Sequence, residues 1–183
     1  MLDILIPALA VIGALAVAFL VYVAMQPSDF RIERSAEIQA STEKIFPLIN
    51  DLRGFNRWNP FAKADPDVKI EYSGPASGVG AAYDWRGKKS GAGRMQIASS
   101  APPSKVTMAL DFSKPFEAHN TAEFTLVPRG TTTAVTWAMT GTRPFSHKLM
   151  GTIFNMDKMV GGEFAKGLAS LKALAEADKP VAS

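Results

Sequence analysis

Between Phe30 and Met139, apolar residues recur at every second position in a series of short runs, and after Ser146 the period changes to three and four. That switch constrains the fold more than any other feature. Alternation puts one face of each run toward a core and the other toward water, as antiparallel strands require. The later spacing, through Leu149, Ile153, Met156, Val160, Phe164, Leu168, Leu171 and Ala175, is that of one long amphipathic helix from about Ser146 to Ala177. Gly161-Gly162 falls inside it and predicts a bend or a thin point. A sheet with one apolar face needs a cover, and this helix is the only element long enough to supply it.

Seven runs read as strands. Phe30, Ile32, Ala36 and Ile38 share the inward phase of the first, which also places Arg34 inward. Ser41 or Thr42 then caps a short helix to about Asn50, with Ile45, Phe46 and Ile49 turned inward. A second short element carries Phe55, Trp58, Pro60 and Phe61. The remaining strands centre on Ile70 and Tyr72, on Tyr83 and Trp85, on Met95 and Ile97, on Met108, Leu110 and Phe112, on Ala122, Phe124 and Leu126, and on Val135, Trp137 and Met139. The predicted class is α+β, a curved seven-stranded antiparallel sheet gripping a long C-terminal helix.

Ahead of the first strand, Ile4 to Ala24 carries no charged side chain. At about 1.5 Å per residue the run predicts a span of roughly 30 Å, enough for one transmembrane helix. No positive residue precedes it and the small-residue cleavage pattern is poor, so it reads as an uncleaved anchor rather than a secretory signal. Arg31 and Arg34 follow the run, which places the soluble part on the cytoplasmic side of a membrane. The expected organisation is an anchor over 1–27, a ligand-binding domain over 28–178 and a tail over 179–183.

Composition removes several function classes. The formal charge of +3 comes from scattered Lys and Arg without a basic run, so no nucleic-acid partner is indicated. There is no cysteine, and the two histidines, His119 and His147, have no spaced carboxylate or histidine partner. Thiolate chemistry and a metal site are therefore not expected. Gly74-Pro75-Ala76-Ser77-Gly78 is not a nucleophile elbow, since serine holds the fourth place. Gly78-Val79-Gly80 and Gly91-Ala92-Gly93 lack the third glycine of a dinucleotide loop. No cofactor and no catalytic constellation are predicted.

The inward positions are instead rich in Met, Phe, Trp and Tyr. Between a strongly curved sheet and one helix, such side chains either fill a core or line a space for an apolar guest. Arg34 is the one inward cation; it must pair with an acid, reach a cavity mouth or meet an anionic head group, with a structural ion pair the favoured outcome. Asn120, in phase with Ala122 and Phe124, either hydrogen-bonds a ligand or caps a strand end. Asp84, Arg86, Arg94, His119 and Glu123 fall in the outward phase.

The order of elements and several stretches resemble the START-like (Bet v 1-like, SRPBCC) superfamily, in its polyketide cyclase/dehydrase and lipid-transport branch. They include Arg34-Ser35-Ala36-Glu37-Ile38, Trp58-Asn59-Pro60-Phe61, Tyr72-Ser73-Gly74-Pro75, Gly80-Ala81-Ala82-Tyr83-Asp84-Trp85 and Thr136-Trp137-Ala138-Met139. With the apolar N-terminus, the chain resembles a membrane-anchored subgroup. The resemblance implies a helix-grip fold with a hydrophobic cavity. The expected lining is Arg34, Tyr83, Trp85, Met95, Met108, Leu110, Phe112, Asn120, Phe124, Trp137, Met139, Met156, Val160 and Phe164. The expected function is membrane-tethered binding of a lipid or other hydrophobic small molecule, as carrier or sensor. A cyclase/dehydrase-like enzyme on a polyketide-like substrate and a protein-interaction module with a filled core are the alternatives, and the oligomeric state is left open.

Overall fold

The computed structural model of the protein describes residues 2–142, 148–149 and 155–177, with side chains of the first helix from Leu9 onward. Helix α1 (Leu2–Met25) precedes strand β1 (Asp29–Ile38). Three short helices follow, α2 (Thr42–Asn50), α3 (Leu52–Asn56) and α4 (Pro60–Ala64). Strands β2 (Lys69–Ser73), β3 (Ala82–Arg86), β4 (Ala92–Ala101), β5 (Lys105–Lys114), β6 (Ala118–Arg129) and β7 (Thr132–Thr142) lead to helix α5 (Met156–Glu176).

The strands form one seven-stranded sheet in the order β1-β7-β6-β5-β4-β3-β2, antiparallel throughout. Only the step from β1 to β7 is non-sequential, so the first strand closes against the last and the three short helices fill the long connection between β1 and β2. Register shifts at Ala92/Gly93 and Ile97/Ser99 put two irregularities into β4, the device by which a sheet bends sharply. Beside the first, Trp85 lies across Gly93, where a Cβ would collide with its ring.

Helix α5 packs chiefly along β1 and buries Phe164, Leu168, Leu171 and Ala175. It is one continuous helix through Gly161-Gly162. A Cβ on Gly161 would strike the Arg34 guanidinium, and one on Gly167 the Trp137 ring and Pro60. These glycines admit side chains from the sheet. The helix begins at Met156 rather than Ser146; Leu149 is helical, while Ser146 and Ile153 lie outside the described residues. The tail expected over 179–183 also lies outside them.

The predicted membrane anchor requires correction. Among the described residues no helix is long and apolar enough to cross a membrane. The expected single-pass membrane location, and with it the cytoplasmic placement of the domain, is therefore withdrawn. Most of the described α1 side chains are exposed, but Val23 is fully buried, and the Ala24 carbonyl accepts from Lys148 Nζ at 3.3 Å.

Candidate functional site

The concave face of the sheet, helices α3 and α4, and α5 enclose a cavity of about 270 Å³. Helices α3 and α4 contribute Phe55, Asn56 and Phe61, with Asn59 between them. Val68, Ile70, Tyr83 and Trp85 come from the β2–β3 side, Met95, Leu110 and Phe112 from β4 and β5. Ala122, Trp137 and Met139 form the floor on β6 and β7, and Val160 and Phe164 face them from α5. Phe61, Ala64 and Lys89 are exposed while also lining the space, so they mark its rim.

The local sequence explains why α4 sits at this rim. Asn59 caps the helix by accepting from Phe61 N at 3.1 Å, and Pro60 occupies the first turn where a missing donor costs nothing. Asp65 then terminates α4 and is itself buried. Its Oδ2 accepts from Lys89 N at 2.9 Å, Ser90 N at 3.0 Å and Ser90 Oγ at 3.0 Å. Those backbone N–H groups, of Ser90 first and Lys89 next, hold the Asp65 carboxyl below the usual carboxylate range. Trp85 Nε1 donates to Ser90 O at 3.1 Å in the same turn. One carboxylate thus ties the end of α4 to the β3–β4 turn across the mouth.

Deeper in, Asn59 Nδ2 donates to Asn56 Oδ1 at 3.0 Å, and Asn56 Nδ2 donates to the Tyr72 hydroxyl at 3.1 Å. The Tyr83 phenol is buried, and burial pushes its pKa upward, with the nearby Tyr72 adding to the shift. It stays protonated over the whole working range. Trp137 is also buried, and its Nε1 has no hydrogen-bond partner among the described residues. The indole of Trp58 differs: it is buried outside the lining and donates to Leu48 O at 2.8 Å.

Of the residues expected to line a cavity, Tyr83, Trp85, Met95, Leu110, Phe112, Trp137, Met139, Val160 and Phe164 come together around it. Met108 and Phe124 point the same way but are fully buried in the core beneath. Met156, in the first turn of α5, lies outside the lining. Arg34 is also outside it: its Nη2 meets Asp157 Oδ2 at 2.8 Å and the Asp157 carbonyl at 3.0 Å, while Nη1 donates to Asp157 Oδ1 at 3.2 Å. This is the structural ion pair favoured from the sequence, clamping β1 to the start of α5. Asn120 Oδ1 is buried without a partner, close against Gly141, where a Cβ would collide with it. The outward residues pair on the convex face, Arg94 with Asp84 at 2.6 Å and Lys105 with Glu123 at 2.8 Å.

Sequence reasoning did not assign Asn56, Asn59, Phe61 and Asp65 to the site. The Asn-Pro start signal of α4 was readable, but the placement of that helix across the sheet is tertiary.

The sequence profile of the family "Polyketide cyclase / dehydrase and lipid transport" matches residues 29–176, from the start of β1 to the end of α5. The chain belongs to this family. No curated protein matches it in sequence. Among solved structures it is similar to a truncated norcoclaurine synthase from Thalictrum flavum, with a TM-score of 0.64 and 13% identity over 85% of this chain and 99% of that one. Protein MLL2253 from Mesorhizobium loti superposes with a TM-score of 0.62 and 14% identity, covering 82% and 100% of the two chains. The Aha1 dimer from Colwellia psychrerythraea gives 0.58 and 20% identity over 82% and 99%. At these identities the likeness is one of fold, and the fold is the Bet v 1-like helix grip.

Proposed function

We propose that this family member binds a hydrophobic small molecule in the cavity between its sheet and α5, as a carrier or sensor of that molecule. One observation carries the reading. A space of about 270 Å³ lies open at a rim of Phe61, Ala64 and Lys89, with aromatic, aliphatic and methionine side chains making most of its wall. Apolar surface left around such a space gains roughly 25 cal/mol for each Å² that a guest removes from water. The volume lies near the lower edge of the roughly 300–1,000 Å³ typical of ligand pockets, which suits a compact molecule better than a two-chain lipid. Helices α3 and α4 form one side of that wall, and Asp65 ties the end of α4 to the β3–β4 turn. The family's description, which pairs cyclase and dehydrase with lipid transport, supports the same ligand class.

Native mass spectrometry of the full chain, followed by solvent extraction, tests the proposal. The expected result is a co-purifying apolar molecule that is missing from a folded Ala122→Phe variant, in which the new ring fills the floor. Unliganded masses for both proteins, together with no uptake of added naphthalene derivatives, would overturn it.

A further inference from the structure

Two hydrogen-bond donors in the cavity wall have nothing to donate to. Trp137 is 3% exposed and its Nε1 has no partner among the described residues. Tyr83 is 4% exposed, and its hydroxyl makes no hydrogen bond among the described residues. Both side chains belong to the lining. For the sealed Trp137 Nε1 an unpaired donor costs on the order of 1–3 kcal/mol, and the Tyr83 hydroxyl adds a second open donor that is not itself sealed. The acceptors of the wall are already used: Asn59 Oδ1 takes Phe61 N, Asn56 Oδ1 takes Asn59 Nδ2, and Asp65 Oδ2 takes three donors from the β3–β4 turn. Among the described residues the lining therefore offers open donors, while its two asparagine oxygens and Asp65 Oδ2 are engaged.

Charge narrows the class further. Asp65 and Lys89 are the charged residues of the lining. Asp65 is committed to the turn, and Lys89 sits exposed at the rim. Nothing deep in the cavity would compensate an ion, and burying one unpaired is far more costly than burying a neutral polar group.

We infer that the cavity selects a compact, uncharged ligand bearing a hydrogen-bond acceptor, such as a ketone, ester or quinone oxygen, which Trp137 Nε1 and the Tyr83 hydroxyl recognise. This rests on the reading of the cavity as a binding site. At about 270 Å³, and with liquid water occupying roughly 30 Å³ per molecule, the guest has on the order of ten heavy atoms. The two donors set orientation, and the aromatic walls supply most of the affinity.

Three probes with the same number of heavy atoms separate the possibilities: 2-acetylnaphthalene, its hydrocarbon isostere 2-isopropylnaphthalene, and 2-naphthoate. Calorimetric titration of the full chain should show the ketone binding roughly five- to tenfold more tightly than the hydrocarbon, as one recovered hydrogen bond implies. The carboxylate should bind weakest. Tyr83→Phe, which removes only the hydroxyl oxygen, and Trp137→Phe should each bring the ratio of ketone to hydrocarbon affinity toward one, the ratio measured within each variant being the readout. If ketone and hydrocarbon bind equally, or the carboxylate binds best, the inference is wrong and the cavity still binds apolar molecules. If none of the three binds to the folded protein, the binding reading fails with it.

Discussion

Trp137 and Phe164 stack face to face, their ring centroids 4.1 Å apart and their planes 9° from parallel. The stack joins β7 to α5 across the cavity. Trp137 also meets Phe55, Trp58, Phe61 and Phe124 edge-on or tilted at centroid distances of 5.0 to 6.4 Å. The indole is thus a shared wall of core and cavity. It makes the helix and the sheet one rigid frame around the space.

Replacing that indole tests both roles. Trp137→Ala should destabilise the fold by about 3–5 kcal/mol, the usual cost of truncating a large buried aromatic side chain. It should also weaken binding of an apolar probe. Equilibrium urea unfolding, with binding measured well below the new midpoint, separates the two effects. A loss below about 1 kcal/mol would mean that the stack contributes little.

The glycines of α5 give a sharper contrast. A Cβ on Gly162 meets nothing within 4 Å, whereas one on Gly167 would press into the Trp137 ring and Pro60. Gly162→Ala should therefore stabilise the protein by roughly 0.5–1 kcal/mol through helix propensity alone. Gly167→Ala gains the same term but overpacks the interface, so it should destabilise by about 1–2 kcal/mol net. Thermal unfolding of the two variants should shift in opposite directions.

Strand phase was readable residue by residue. Ile32, Ile38, Met95, Ile97, Phe124 and Trp137 all turn inward as their alternation implies. Depth was not readable. Met108 and Leu110 share a strand face, yet Met108 is sealed in the core and Leu110 lines the cavity. What separates them is where the bent sheet leaves α5, and that depends on the β4 irregularities and on the inserted helices. Arg34 was legible as a residue in need of an acid, but the acid, Asp157, is 123 positions away. The orphan Trp137 Nε1 was invisible too, because a missing hydrogen bond is a property of packing.

The Asp65 clamp should respond to acid in a defined direction. Its folded pKa lies below the ordinary value, so its contribution to holding the mouth is present above about pH 3.9 and is lost as pH falls through the lowered folded value. The Lys89 and Ser90 amide proton shifts should titrate together with a midpoint below that of free aspartate. In Asp65→Asn this titration should vanish, and both amides should exchange faster with solvent at neutral pH. Unchanged exchange in the variant would show that the turn holds itself.

The most direct measurement uses the three tryptophans as reporters. Trp85 and Trp137 line the cavity, and Trp58 is buried outside it. In a 15N-labelled full chain titrated with 2-isopropylnaphthalene, the indole N–H resonances of Trp85 and Trp137 should shift with one common saturation curve. The Trp58 resonance should stay nearly still, and Ala122→Phe should abolish the response. Shifts of all three indoles alike, or a response that survives the Ala122→Phe substitution, would place the probe elsewhere and contradict the account of the cavity as the binding site.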